Sequence, residues 1–165
     1  MSMEVIKDIS LEAEIQSKFR NEHHKVLVNL IYTYNYISGC LQKILHDKNV
    51  TMQQFNILRI LRGAHPEPVS NGMIRERMLD KNSDVTRIID RLIKDGYVIR
   101  NACKEDRRRV NISITEKGLE QLTEIDKVSC EMDKITNSLS EDEANQLNIL
   151  LDKIRHSTSC CDNGN

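Results

Sequence analysis

The sequence predicts a mainly α fold with a small β contribution (α+β), in which helices surround one long-tipped hairpin. Three observations lead there. Only two prolines, Pro66 and Pro68, and six glycines punctuate the 165 residues, and long intervals without either favour helix. Apolar residues recur at three- and four-residue steps over most of the chain, the spacing that gathers them on one helical face. One segment, Tyr97 to Ile114, changes to the in/out alternation of strands. With 39% hydrophobic and 30% charged positions, the chain is long enough for one compact core and short for two, so residues 1–165 are read as a single domain.

The first helix, about residues 20–48, is set by Leu27, Leu30, Tyr34, Ile37, Leu41 and Ile44, whose alternating steps make an a/d seam. Ile31 and Leu45 widen the stripe, as expected of a helix that also contributes to a dimer. Thr51 can cap a second helix that places Phe55, Leu58 and Leu61 on one face, and Gly63 with the segment His65 to Pro68 should end it. Ser70 caps a short third helix containing Ile74 and Met78, and Lys81-Asn82-Ser83 turns into a fourth. There Val85, Ile88, Ile89, Leu92 and Ile93 bury one face, while Ser83, Asp84, Thr86, Arg87, Asp90, Arg91 and Lys94 take the other. Gly96 closes this helix as a left-handed cap. Tyr97-Val98-Ile99-Arg100, the polar stretch Asn101 to Arg109 and Val110 to Ile114 then form a hairpin with a charged tip. Thr115-Glu116-Lys117-Gly118 opens a helix striped by Leu119, Leu122, Ile125, Val128, Met132 and Ile135. Ser140 caps a last one, with Ala144, Leu147, Leu150, Leu151 and Ile154 on one side. Residues 157–165 are expected to be a disordered tail.

Composition removes several function classes. The N-terminal stretch mixes acids with apolar residues, unlike the basic start and apolar run of an export signal, and no apolar run approaches the roughly 20 residues of a membrane span. Five cysteines, odd in number and without a C-x-x-C pair, indicate neither a disulfide framework nor a zinc knuckle, so a soluble, cytoplasmic protein without a metal or other cofactor is expected. Candidate nucleophiles are scattered, there is no glycine-rich phosphate loop, and no His or carboxylate has catalytic spacing. No enzyme is expected. The net charge is −1, but Ile74 to Gly118 carries 12 Lys and Arg against 8 Asp and Glu, and the rest carries 12 against 17. That asymmetry suits a positive nucleic-acid-facing surface on an acidic body.

Three short helices followed by a hairpin make a winged helix-turn-helix, here spanning about residues 50–115. In this motif the last helix enters a major groove and the hairpin reaches the neighbouring backbone or minor groove. Thr86, Arg87 and Arg91 are of types that bond phosphates and base edges, and Arg107-Arg108-Arg109 at the tip would meet phosphates or a narrow minor groove. Two readings stay open for Arg91 and Lys94, which can instead pair with Asp90 and Asp95 along the helix. Asp84 either caps the helix or accepts a hydrogen bond from a cytosine amino group. Cys40, and Cys103 beside Lys104, are either inert or redox-sensing, since nearby cations lower a thiol pKa.

At these residues the sequence resembles the MarR family of regulators. V-T-M-Q-Q-F-N-I-L-R-I-L (Val50 to Leu61) is similar to the family's second helix. S-D-V-T-R-I-I-D-R-L-I-K-D-G-Y-V-I-R (Ser83 to Arg100) is similar to its recognition helix and first wing strand. E-D-R-R-R-V-N-I-S-I-T-E-K-G (Glu105 to Gly118) resembles its wing signature. The resemblance implies a homodimer formed by the first and last helices, about residues 20–48 and 116–156, with two recognition helices in successive major grooves of a near-palindromic operator in double-stranded DNA. It assigns Ser83, Thr86 and Arg87 to DNA on the recognition helix and Asp106, Arg107 and Arg108 to the wing. Asp106 would orient a wing arginine, because a carboxylate beside phosphates is repelled unless paired. Many members carry a small hydroxyl residue where this chain has Asp84. The resemblance also implies a small aromatic effector near the first helix, with Tyr32, Tyr36 and Phe55 as candidate contacts, and a ligand- or stress-responsive repressor. The rival function is a winged-helix protein-interaction module, which has no need of three arginines at the wing tip.

Overall fold

The computed structural model describes residues 10–16, 18–102 and 110–156. In chain order the elements are α1 (Leu11–Ile15), α2 (Glu22–His46), α3 (Met52–Ala64), β1 (Val69–Ser70), α4 (Asn71–Arg77), α5 (Val85–Lys94), β2 (Val98–Ala102), β3 (Val110–Ile114), α6 (Glu116–Asp126), α7 (Ser129–Asp133) and α8 (Glu141–Arg155). The mainly α winged architecture is the expected one. Neither α1 nor β1 follows from the sequence pattern, because each is too short for a 3.6- or 2-residue period to register.

The helices begin at their capping residues. Thr51 accepts the Gln54 amide at 3.2 Å while the Gln54 carboxamide accepts the Thr51 amide at 2.9 Å, a reciprocal box. Ser70 accepts from the Met73 amide at 3.2 Å, and Ser140 repeats the box with Glu143. Helix α3 runs through Gly63, since one glycine in a helix costs only about 1 kcal/mol, and ends at Ala64, directly before the segment His65 to Pro68 expected to end it. Gly96 has φ +77° and closes α5 in the left-handed region, where other residues are strained.

Ile57, Leu58 and Leu61 of α3 are fully buried at the centre of one apolar cluster. Ile74 and Met78, Val85, Ile89 and Leu92, the strand residues Val98, Ile112 and Ile114, and Leu122 and Ile125 of α6 close around them. Ile88 and Ile93, expected to complete the buried face of α5, are only half-buried at its margins. The sheet has the order β1-β3-β2, antiparallel throughout, with Val69 opposite Ile112 and Val98 opposite Ile114.

One expectation fails after α6. The stripe from Leu119 to Ile135 is not one helix: α6 ends at Asp126, and α7 starts after Val128, which makes no side-chain cap. The cause is in the spacing. Leu119, Leu122, Ile125 and Val128 advance by threes, and at 3.6 residues per turn nine residues amount to about two and a half turns, which would carry Val128 to the side opposite Leu119. Breaking the helix there keeps Val128 and Met132 half-buried.

The outer helices are different. Helix α8 has no buried residue, with Leu147 and Leu150 at 43% and 56% exposure, and along α2 Leu27, Ile31 and Tyr34 are 57%, 55% and 64% exposed. Among the described residues, two long helices thus carry apolar stripes left in water.

Candidate nucleic-acid interface

Helix α5 packs Val85, Ile89 and Leu92 against α3 and α4, which turns Thr86, Arg87, Asp90, Arg91 and Lys94 outward. The turn before it is organised by Asp80, whose carboxylate accepts the Asn82 amide at 3.0 Å and the Ser83 hydroxyl at 2.8 Å. The hydroxyl proton of Ser83 is therefore engaged within the turn. Asp84 accepts the Arg87 amide at 3.1 Å and caps α5, the first of the two readings its sequence position left open.

Charge on the outer face is sorted by neighbours that are distant in sequence or on another element. Asp90 is ion-paired with Arg100 of β2. Asp95 takes the Gln54 carboxamide at 3.4 Å through its side chain and the Lys117 ammonium at 2.7 Å through its carbonyl. Neither acid pairs with Arg91 or Lys94, and among the described residues no ion pair engages Arg87, Arg91 or Lys94. Arginines that no carboxylate holds in an ion pair can give their donors to an external anion. Gln53, in the first turn of α3, borders a groove of about 250 Å³ together with Arg87 and Arg91. Sequence reasoning passed over Gln53; its signal was an exposed polar side chain one place before the capping-box Gln54.

The wing is held to α5 from its base. Thr115 caps α6 by accepting the Gly118 amide at 3.1 Å, and its hydroxyl lies 2.8 Å from the Gly96 carbonyl and 3.1 Å from that of Tyr97. Lys117 places its ammonium 5.1 Å from the centre of the Tyr97 ring. Gly118 has a steric reason: a Cβ there would stand 2.3 Å from the Tyr97 carbonyl oxygen and 2.7 Å from Ile114 Cγ1. Within the wing the Asn101 carboxamide donates to the Ser113 hydroxyl at 2.7 Å across the strands. Cys103, Asp106, Arg107, Arg108 and Arg109 lie outside the described residues.

The aromatic residues suggested as effector contacts do not converge. Tyr32 and Tyr36 border one groove, with Leu11 and Glu14 across it on α1. Phe55 is half-buried against the core, with the Arg59 guanidinium 5.8 Å from its ring centre. Tyr34 faces a different groove, toward Met78 and Leu79. Cys40 is a half-buried free thiol on α2. Among the described residues no cluster of His, Cys, Asp and Glu is placed to hold a metal ion, and no helix is long and apolar enough to cross a membrane.

A helix-turn-helix with an outward arginine face, braced by a three-stranded wing, belongs to the winged helix class of DNA-binding proteins. Comparison with known proteins narrows the class. The sequence pattern of the MarR family matches residues 50–110. The HTH-type transcriptional regulator PecS of Dickeya dadantii is 31% identical over 121 residues, which are 72% of this chain and 72% of that protein. A MarR transcription factor from Planctomyces limnophilus superposes with a TM-score of 0.63 at 30% identity, over 82% of this chain and 98% of that one. A mutant MarR from E. coli, in a complex with operator DNA, shares the fold with a TM-score of 0.74 at 24% identity, over 84% of this chain and 99% of that one. The chain belongs to the MarR family and is a DNA-binding transcriptional regulator.

Proposed function

We propose that the protein is a homodimeric repressor that binds a near-palindromic operator in double-stranded DNA, is released by a small-molecule effector, and carries out no reaction of its own. Residues of about 50–115 form the DNA-binding unit, and the helices on either side are the dimerisation arms of the same domain. The observation that carries this reading is the exposed face of α5, where Arg87 and Arg91 are held by no carboxylate among the described residues while Asp90 is occupied by Arg100. Thr86, Arg87 and Arg91 then meet the major groove, Ser83 and Asp84 hold the turn that delivers them, and Arg107, Arg108 and Arg109 meet the backbone or minor groove, oriented by Asp106. Dimerisation is supported by the apolar stripes of α2 and α8, which need a partner to leave water. A two-fold dimer sets the half-sites one helical turn apart, about 34–36 Å.

The test is selection of bound sequences from random duplex DNA, followed by Arg87→Ala against the selected operator and its single-base variants. An arginine fork on guanine O6 and N7 is worth about 1–3 kcal/mol of discrimination, so the variant should lose preference at one position of each half-site. If both proteins rank the variants alike and differ by a common factor, Arg87 holds a phosphate and base reading lies elsewhere.

A further inference from the structure

The groove between α1 and α2 lies on the face of α2 turned away from the Leu27, Ile31 and Tyr34 stripe, since Tyr32 and Tyr36 fall across the helix from it at about 100° per residue. Its volume is about 300 Å³, at the lower end of small-molecule sites, which span about 300–1,000 Å³. Leu11 is buried at 7% exposure and supplies an apolar floor. Tyr32 and Tyr36, one helical turn apart, are 43% and 62% exposed and both line the groove. Across from them is Glu14.

Two carboxylates of α1 have different fates. Glu12 is taken by Lys25 at 2.7 Å. Glu14 forms no ion pair among the described residues, and its charge is felt by the phenol opposite: Tyr32 is held above the usual tyrosine value, first by the Glu14 charge, then by partial burial and a hydrogen bond to the same carboxylate. The remaining groups on the groove, Asn29 and Thr33, are neutral. A site with one carboxylate in no ion pair among the described residues, two tyrosines and an apolar floor repels anions and attracts cations, because the face of an aromatic ring carries negative potential.

We propose that this groove binds a small organic ammonium ion, its apolar body on Leu11 and its charge between Glu14 and the rings of Tyr32 and Tyr36. The proposal deepens the effector part of the reading above by naming a site and a ligand class, and it rests on that reading only for any consequence at the operator. A ligand that touches both helices ties α1 to α2.

The probe is benzyltrimethylammonium, titrated into the full chain without DNA and followed by tyrosine ring resonances, with benzoate as the anionic counterpart. Saturable binding at one site per chain is expected, with resonances of Tyr32 and Tyr36 moving and that of Tyr97 still. Benzoate should bind at least about tenfold more weakly, and Glu14→Gln should weaken the ammonium at least about fivefold without changing the helical spectrum. Tyr36→Leu, an exposed position, should weaken it about two- to fivefold. Failure to saturate below about 10 mM, equal binding of benzoate, or an unchanged affinity in Glu14→Gln or Tyr36→Leu overturns the proposal. Because no DNA is present, loss of the groove leaves the DNA-binding reading intact, and failure of that reading leaves this test intact.

Discussion

Gly118→Ala adds a single methyl group at the joint between the wing and α6, and its cost can be reasoned from the contacts it meets. The added carbon would lie 2.3 Å from the Tyr97 carbonyl oxygen, about 1.1 Å inside the 3.4 Å at which ordinary contact begins. A flexible side chain would yield to such a contact, but this obstacle is backbone. The Tyr97 carbonyl accepts the Thr115 amide at 3.0 Å and lies 3.1 Å from the Thr115 hydroxyl, so moving it breaks the bonds that anchor Thr115, the capping residue of α6. Overpacking of a filled site costs about 1–3 kcal/mol, and a fixed obstacle places this change near 3. Gly63→Ala supplies the control. It is the same chemical change inside α3, where an added Cβ meets nothing within 4 Å, and there alanine should stabilise by about 0.4–1 kcal/mol through the unfolded chain. Urea unfolding followed by circular dichroism at equal chain concentration measures both, since any self-association is linked to stability. A Gly118→Ala midpoint within about 0.5 kcal/mol of wild type, or two alanines that destabilise equally, would refute the steric argument.

Three further outcomes are expected. Ile31→Asp puts a charge into the exposed stripe of α2 and should shift a dimer to monomer in sedimentation at micromolar protein; a wild-type monomer would remove the two-half-site proposal altogether. Asp84→Ala should lower stability by about 1 kcal/mol through loss of the α5 cap, whereas a base-reading carboxylate would show itself as a changed ranking of operator variants. Arg108→Ala should weaken binding to all duplexes and flatten the log-log salt slope by about one unit; an unchanged slope takes the wing tip out of the interface.

Long helices and their starts were legible because both signals are local. A hydroxyl or carboxylate three residues before an amide is enough to cap, and Thr51, Ser70, Asp84, Thr115 and Ser140 all do so. Strand β1 was hidden because two residues carry no period, and it exists only because β3 offers an open edge. The break after α6 was hidden by reading the stripe as a list of apolar residues, although its three-residue steps already contradict a continuous α-helix.

Charge pairing around α5 was illegible for a stronger reason. Asp90 has Arg91 and Lys94 as neighbours on its own helix, and local spacing alone would pair it with Lys94 one turn away. It pairs with Arg100, ten positions on, because β2 returns alongside α5 after the Gly96 turn. The two outcomes have opposite meanings for DNA. A helix that paired its own charges would present phosphates with a neutral surface, while one whose acid is taken by the wing keeps its arginines for the partner. The wing therefore sets the charge that α5 presents. Asp90→Asn measures what that carboxylate still costs, since with Arg87 and Arg91 already unpaired it removes one negative charge from the outer face of α5 and frees Arg100. Affinity for any duplex should rise and the salt slope steepen by up to about one unit, while stability changes by no more than about 1 kcal/mol, the range of an exposed pair. A fall in affinity would mean that the ion pair positions α5, and that its place in the interface is structural rather than electrostatic.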